Sequence, residues 1–265
     1  MQAISLAYGP EAQQFGELFP QPGNGPHPVV ILIHGGFWRA PYDLTLMAGM
    51  AQNLVKQGFA VWNVEYRRIG DPGGGWPGTF QDVASATDYL NTIASTYDLD
   101  IRRVVTVGHS AGGHLALWLA ARSQFPQDSP LYMPNPLKLR GIVSLAGVCD
   151  LEQGWKLNLG KGAVAELLGA GPEQVGERYA STSPAALLPL GIPQVLIHGD
   201  NDDRVPLSVS RSYADRASRA GDSVRFIELP NTDHFVLIDP DAQVWTRTRY
   251  EIQALLGAQQ FDDDL

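Results

Sequence analysis

The 265-residue chain has one cysteine, Cys149, so no disulfide can form within it, and such usage fits a reducing compartment. The residue follows the apolar run Gly141-Ile142-Val143-Ser144-Leu145-Ala146-Gly147-Val148, which predicts a buried, inert thiol. No apolar stretch approaches the roughly 20 residues that a membrane-spanning helix needs. The start, Met1-Gln2-Ala3-Ile4-Ser5-Leu6-Ala7, lacks the basic segment and apolar core of a signal peptide. Charged residues are few, at 18 %, and they sum to −9, a field that repels nucleic acid and anionic membrane surfaces. No Cys/His spacing suggests a metal site, and neither an internal repeat nor a low-complexity segment is present. These absences leave a cytoplasmic globular protein that works on a small molecule, with no nucleic acid or membrane partner.

The apolar content, 44 %, is ample for one large core. Val29-Val30-Ile31-Leu32-Ile33 is short and continuously apolar, the mark of a strand buried on both faces of a parallel sheet. Comparable runs lie at 59–66, 104–107, 141–148, 194–199 and 223–229, and residues 13–19 read as an edge strand stopped by Pro20. Helical patterns fall between them, at 43–57, from Thr79 as cap to about Tyr97, after Ser110, at 207–220 and at 242–256. Alternation of this kind predicts an α/β fold: a mostly parallel central sheet with helices on both faces. Residues 150–190 are looser and longer than a crossover needs, and they read as a small lid insertion in a single domain. The acidic end Phe261-Asp262-Asp263-Asp264-Leu265 reads as a frayed, solubilising tail.

Chemistry concentrates where Val104-Val105-Thr106-Val107 runs into Gly108-His109-Ser110-Ala111-Gly112 and then into an apolar helix. A strand, a tight turn and a helix with serine at the apex form the arrangement that exposes a nucleophilic hydroxyl, although a serine at a helix start can also be a plain N-cap. A serine needs a base, and the base needs an orienting acid, from later strand ends in the order Ser, Asp, His. His234, in Pro230-Asn231-Thr232-Asp233-His234-Phe235, fits the base. Asp200, Asp202 and Asp203 all compete for the acid on position alone. His34 and His198 end buried strands and read as loop braces, His109 and His114 as packing residues or supports behind the site rather than catalytic ones, and His27 as an exposed residue of a proline-rich turn.

Gly-His-Ser-Ala-Gly-Gly, His34-Gly35-Gly36-Phe37-Trp38 and the late Asp and His loops together resemble the α/β-hydrolase superfamily. Within it they are similar to the branch of hormone-sensitive-lipase-like carboxylesterases and kynurenine formamidases (arylformamidases). The resemblance implies a single α/β-hydrolase domain without a cofactor, acting on a carboxylic ester or an N-formyl amide through an acyl-enzyme. It carries a family pattern, His-Gly-x-x-Asp-x-x-Val-Pro, onto His198–Pro206, which selects Asp202 as the acid with Asp203 as its rival. It also implies that the N–H groups of Gly36, Phe37 and Ala111 form the oxyanion hole. Lipase relatives show a third glycine where this chain has Phe37, which favours the formamidase side; a general esterase of short-acyl or acetylated-carbohydrate esters is the alternative. A ligand-binding relative that has lost catalysis is disfavoured, because all three triad residues are present. Trp38, Trp76 and Trp155 are candidates for a substrate-pocket wall, with a core role equally open. Gly73-Gly74-Gly75 lacks the Gly-Lys-Ser/Thr of a phosphate cradle, and Arg67 and Asp82 are expected to pair across that loop.

Overall fold

Side chains alternate across a strand, so an apolar run of five can feed two cores at once. Val29, Ile31 and Ile33 enter one hydrophobic cluster while Val30 and Leu32 enter the other. The same division holds for Trp62 and Val64 against Val61, and for Leu196 against Val195 and Ile197. The computed structural model describes residues 2–257. Among them eight strands make one sheet: β1 (Ile4–Ala7), β2 (Phe15–Phe19), β3 (His27–Ile33), β4 (Ala60–Val64), β5 (Leu99–His109), β6 (Gly141–Leu145), β7 (Gln194–Gly199) and β8 (Val224–Leu229). Their order is β1-β2-β4-β3-β5-β6-β7-β8; the first two pairings are antiparallel and the rest parallel. The α/β-hydrolase architecture predicted from sequence is the one observed.

One face carries α1 (Ala48–Lys56) and α9 (Trp245–Leu256), whose Met50, Leu54 and Ile252 meet the second cluster. The other carries α2 (Gly78–Asp88), α3 (Leu90–Ile93), α4 (Ala111–Ala120) and α8 (Leu207–Arg219). The chain leaves β3 to one side, toward β4, and returns across it to β5 on the other, so the strand order reverses between β3 and β5. In open α/β sheets ligands bind outside the carboxyl ends of the strands at such a reversal. The segment predicted as a lid holds α5 (Leu151–Lys156), α6 (Ala163–Leu168) and α7 (Pro172–Thr182). Its Leu151, Val164, Leu167, Leu168 and Tyr179 join the same cluster as α4 and the sheet. Among the described residues no helix is long and apolar enough to cross a membrane.

Several boundaries depart from the sequence reading. The edge strand is β1, outside β2, because a short and largely exposed segment leaves no apolar alternation to detect. The helix expected from Thr79 to Tyr97 breaks at Tyr89, and Pro77 holds the cap position. Thr79 instead accepts the Gly75 N–H at 3.0 Å and donates to the Arg67 carbonyl, tying the glycine loop to the helix. The helix expected over 43–57 begins as a 3₁₀ turn, Leu44–Met47, with the Asp43 carboxylate accepting the Thr45 N–H. The tail at 261–265 lies outside the described residues.

Cys149 is fully buried, and burial pushes its thiol up to about 12. The thiolate is the reactive form, so a thiol reagent is expected to leave the folded protein untouched at neutral pH and to titrate one sulfhydryl after denaturation. A fast stoichiometric reaction before unfolding would contradict that reading.

Candidate active site

Ser110 follows β5 with φ 56° and ψ −118°, a conformation that non-glycine residues rarely adopt. The turn is held from several sides: the Ser110 N–H donates to the Leu145 carbonyl at 2.8 Å, and α4 starts at the next residue. A Cβ on Gly112 would come within 2.0 Å of the Ile33 carbonyl oxygen, so only glycine lets the elbow sit against β3. The strained conformation is thus kept in place by its surroundings.

Asp202 and His234 come from the loops after β7 and β8. The His234 Nδ1–H donates to Asp202 Oδ2 at 2.6 Å. The same oxygen lies 3.1 Å from His198 Nε2, while Asp202 Oδ1 accepts the N–H groups of Arg204 and Val205 at 2.8 and 2.9 Å. The Asp202 side chain is 0 % exposed. Burial alone would raise its pKa; the bonds from His198 and His234 and the Val205 N–H outweigh that and hold the carboxyl well below its ordinary 3.8. Asp203, by contrast, is 73 % exposed and pairs with Arg204. It is Asp202 that faces the imidazole. His198 braces the loop: its Nε2–H also points at the Val205 carbonyl at 2.9 Å, and its Nδ1 is 2.8 Å from the Ser210 hydroxyl.

Ser110 and His234 line one cleft of about 100 Å³ together with Gly36, Phe37, Tyr42, Leu46, His109, Arg204 and Phe235. Gly36, Phe37 and Trp38 are consecutive residues with φ of 101°, 53° and 56°. That succession turns the chain sharply after β3. Among the described residues neither the Gly36 nor the Phe37 N–H enters a turn hydrogen bond, and Ala111, first in α4, has no intrahelical acceptor. The loop is anchored from behind. Ile69 N–H donates to the Trp38 carbonyl at 2.7 Å, and the Trp38 indole donates to His114 Nδ1 at 3.2 Å. His114 in turn donates from Nε2 to the Thr182 carbonyl at 2.9 Å, which fixes its tautomer. Burial lowers the His114 pKa to about 4, so it stays a neutral link between the β3 loop and α7.

A family model described as BD-FAE matches residues 18–216. The chain belongs to the BD-FAE family. Its relatives include the probable carboxylic ester hydrolase LipM of Mycobacterium tuberculosis, 25% identical over 80% of this chain and 50% of LipM. Kynurenine formamidase avaC of Aspergillus versicolor is 30% identical over 70% of this chain and 74% of its own. The chain spans about half the length of the curated esterases it matches, LipM, LipC and LipQ. Among solved structures, a truncated carbohydrate esterase from gut microbiota superposes with a TM-score of 0.80 at 20% identity, covering 97% of each chain. Thermogutta terrifontis esterase 2 with bound propionate gives 0.77 at 18% identity, covering 98% of this chain and 97% of that one. At such identities the likeness is one of fold.

In this BD-FAE member the three tryptophans do not wall the cleft. Trp38 is 0 % exposed in the core, because its positive φ turns the chain and the indole is drawn to His114 behind the loop. Trp76 lies under the Arg178 guanidinium, 4.2 Å from the ring centre, and lines a separate depression with Asp128, Gln174 and Arg178. Trp155 packs into the apolar cluster beside Gly171. The cleft is lined instead by Phe37, Tyr42, Leu46 and Phe235, the last 49 % exposed. Tyr42 and Leu46 carry no motif; Phe235 and Arg204 stand next to signalled residues and could have been suspected. Arg67 and Asp82 pair as expected, two-pronged at 2.8 and 2.7 Å.

Because its pKa is depressed in the folded state, ionised Asp202 stabilises the fold above its ordinary value, and that contribution is lost as pH falls toward the folded value. The variant D202N is therefore expected to show a shallower loss of unfolding free energy between about pH 4 and pH 2 than the parent in urea titrations. An unchanged slope would contradict the assignment.

Proposed function

We propose that the protein is a serine hydrolase that removes a short acyl group from an ester or an N-formyl amide through an acyl-enzyme. The observation that carries this reading is the buried Asp202–His234 pair sharing a cleft with Ser110 at a strained strand-to-helix turn. Ser110 Oγ attacks the substrate carbonyl carbon while His234 Nε2 takes the hydroxyl proton. Asp202, bonded to Nδ1–H, fixes the tautomer that leaves Nε2 free and stabilises the imidazolium. The oxyanion draws on the N–H groups of Gly36, Phe37 and Ala111, a donor of this kind being worth about 2.7–4 kcal/mol in comparable sites. His234 then protonates the departing alcohol or amine. Water attacks the acyl-enzyme with His234 again as base, and the acid and free Ser110 are released.

The size of the cleft supports a short acyl group. At about 100 Å³ the cleft is small beside the roughly 300–1,000 Å³ of a typical ligand pocket. The esterase 2 structures with propionate and butyrate point the same way. The formamide reading rests on His34-Gly35-Gly36-Phe37-Trp38 and on the similarity to the avaC formamidase. A formyl group is the smallest acyl group of all.

Steady-state rates on para-nitrophenyl acetate, butyrate and octanoate, with N-formyl-kynurenine alongside, test the reading. Acetate is expected to exceed octanoate in kcat/KM, and a formamide rate at background would remove the formamidase branch. S110A and H234A are each expected to lower kcat by about 10⁴-fold or more with the melting temperature retained. D202N is expected to cost far more than D203N, and the reverse order would displace Asp202 as the acid.

A further inference from the structure

His109, immediately before the nucleophile, stands where three parts of the cleft converge. It is 2 % exposed, yet it lines the cleft. Its Nε2 is 2.9 Å from the carbonyl oxygen of His234, which can only accept, so Nε2 carries the proton and donates. The two imidazole rings lie 4.5 Å apart between centres. Its Nδ1 is left without a partner and faces the oxyanion loop: a Cβ on Gly35 would lie 3.2 Å from that nitrogen and 2.8 Å from the His109 carbonyl oxygen. The titratable groups whose charges act on it are His234, Asp202 and His198, of which His234 is in contact. Burial, then the neighbouring His234, lowers its pKa to about 3, so it adds no charge beside the imidazolium that catalysis forms.

We infer that His109 is a positioning residue, which ties the backbone of the base His234 to the residue next to the nucleophile Ser110. The inference rests on the triad reading above. The bond from Nδ1 to Asp202 holds one side of the His234 ring; the His109 donor holds the main chain that carries it. The nucleophile-to-base spacing is thereby referenced to one covalent step along the chain, rather than to the separation of β5 and β8. A displacement of about 1 Å at such a pair costs on the order of 10²-fold in rate.

Three variants separate this role from simple packing. His109→Leu keeps bulk without a donor, His109→Asn has a donor too short to reach, and His109→Gln places an amide N–H near the position of Nε2. The rate of Ser110 labelling by a fluorophosphonate and kcat on para-nitrophenyl acetate are expected to fall about tenfold or more in H109L, with KM little changed. H109Q is expected to recover most of that loss and H109N little of it. Should H109L not fold, the Gln and Asn variants carry the same contrast. Labelling of H109L at the parent rate, or an equal loss in H109Q and H109L, would overturn the inference. If the parent protein itself fails to label, the serine-hydrolase reading fails, and ring NMR signals of His234 decide the tether alone. A single sharp set is expected in the parent and H109Q and a broadened or doubled set in H109L; a sharp set in H109L would refute the tether.

Discussion

A carboxylate without solvent is tolerable only when every lone pair is answered, and Asp202 meets that condition. Two main-chain N–H groups hold one oxygen, and His198 and His234 meet the other. The donors come from its own loop, from the end of β7 and from the loop after β8. Removing one would leave a buried charge short of partners, so the loops after β7 and β8 and the sheet end behave as one unit. The orientation of the His234 ring is a by-product of that satisfaction.

The loop after β3 meets a similar problem by other means. Consecutive left-handed residues are costly, and their cost is offset by anchors on the protein side of the loop. The Trp38 indole reaches His114, and His114 reaches Thr182 of α7. On the other flank Glu65, nearly buried, accepts from His34 Nε2 and the N–H groups of Leu44 and Tyr66, with the Arg68 guanidinium 3.3 Å away. Arg68 also bonds the carbonyl of Tyr42, whose side chain lies against Gly36. Neither set of contacts uses the Gly36 or Phe37 N–H, and among the described residues neither group enters a turn hydrogen bond.

Much of this was legible from residue order because the decisive signals are local. Continuous apolar runs mark strands buried on two faces, and the serine turn shows its glycines where β5 crowds α4. Which aspartate meets His234 was not readable from physics alone, since Asp200, Asp202 and Asp203 differ in burial, not in type. Only the family pattern singled out Asp202. The tryptophans misled for a related reason: an indole at the site edge and one behind it look alike in sequence, and the direction depends on the backbone dihedrals of Phe37 and Trp38. The β1 edge strand was invisible because half-exposed pairing leaves no periodic trace. Tyr42 and Leu46 reach the cleft through loop geometry that no spacing rule encodes.

The cap segment between β6 and β7 shares its apolar core with α4 and the sheet, and the backbone of Gly160 lies against the Phe37 ring that lines the cleft. Of the apolar residues that line the cleft, Phe37 alone also packs against the larger cluster, whereas Tyr42 and Phe235 stand largely exposed. The cleft can therefore be reshaped at its rim without drawing on the packing that holds the segment between β6 and β7 to the sheet, so cleft shape and folding stability can change independently in this scaffold.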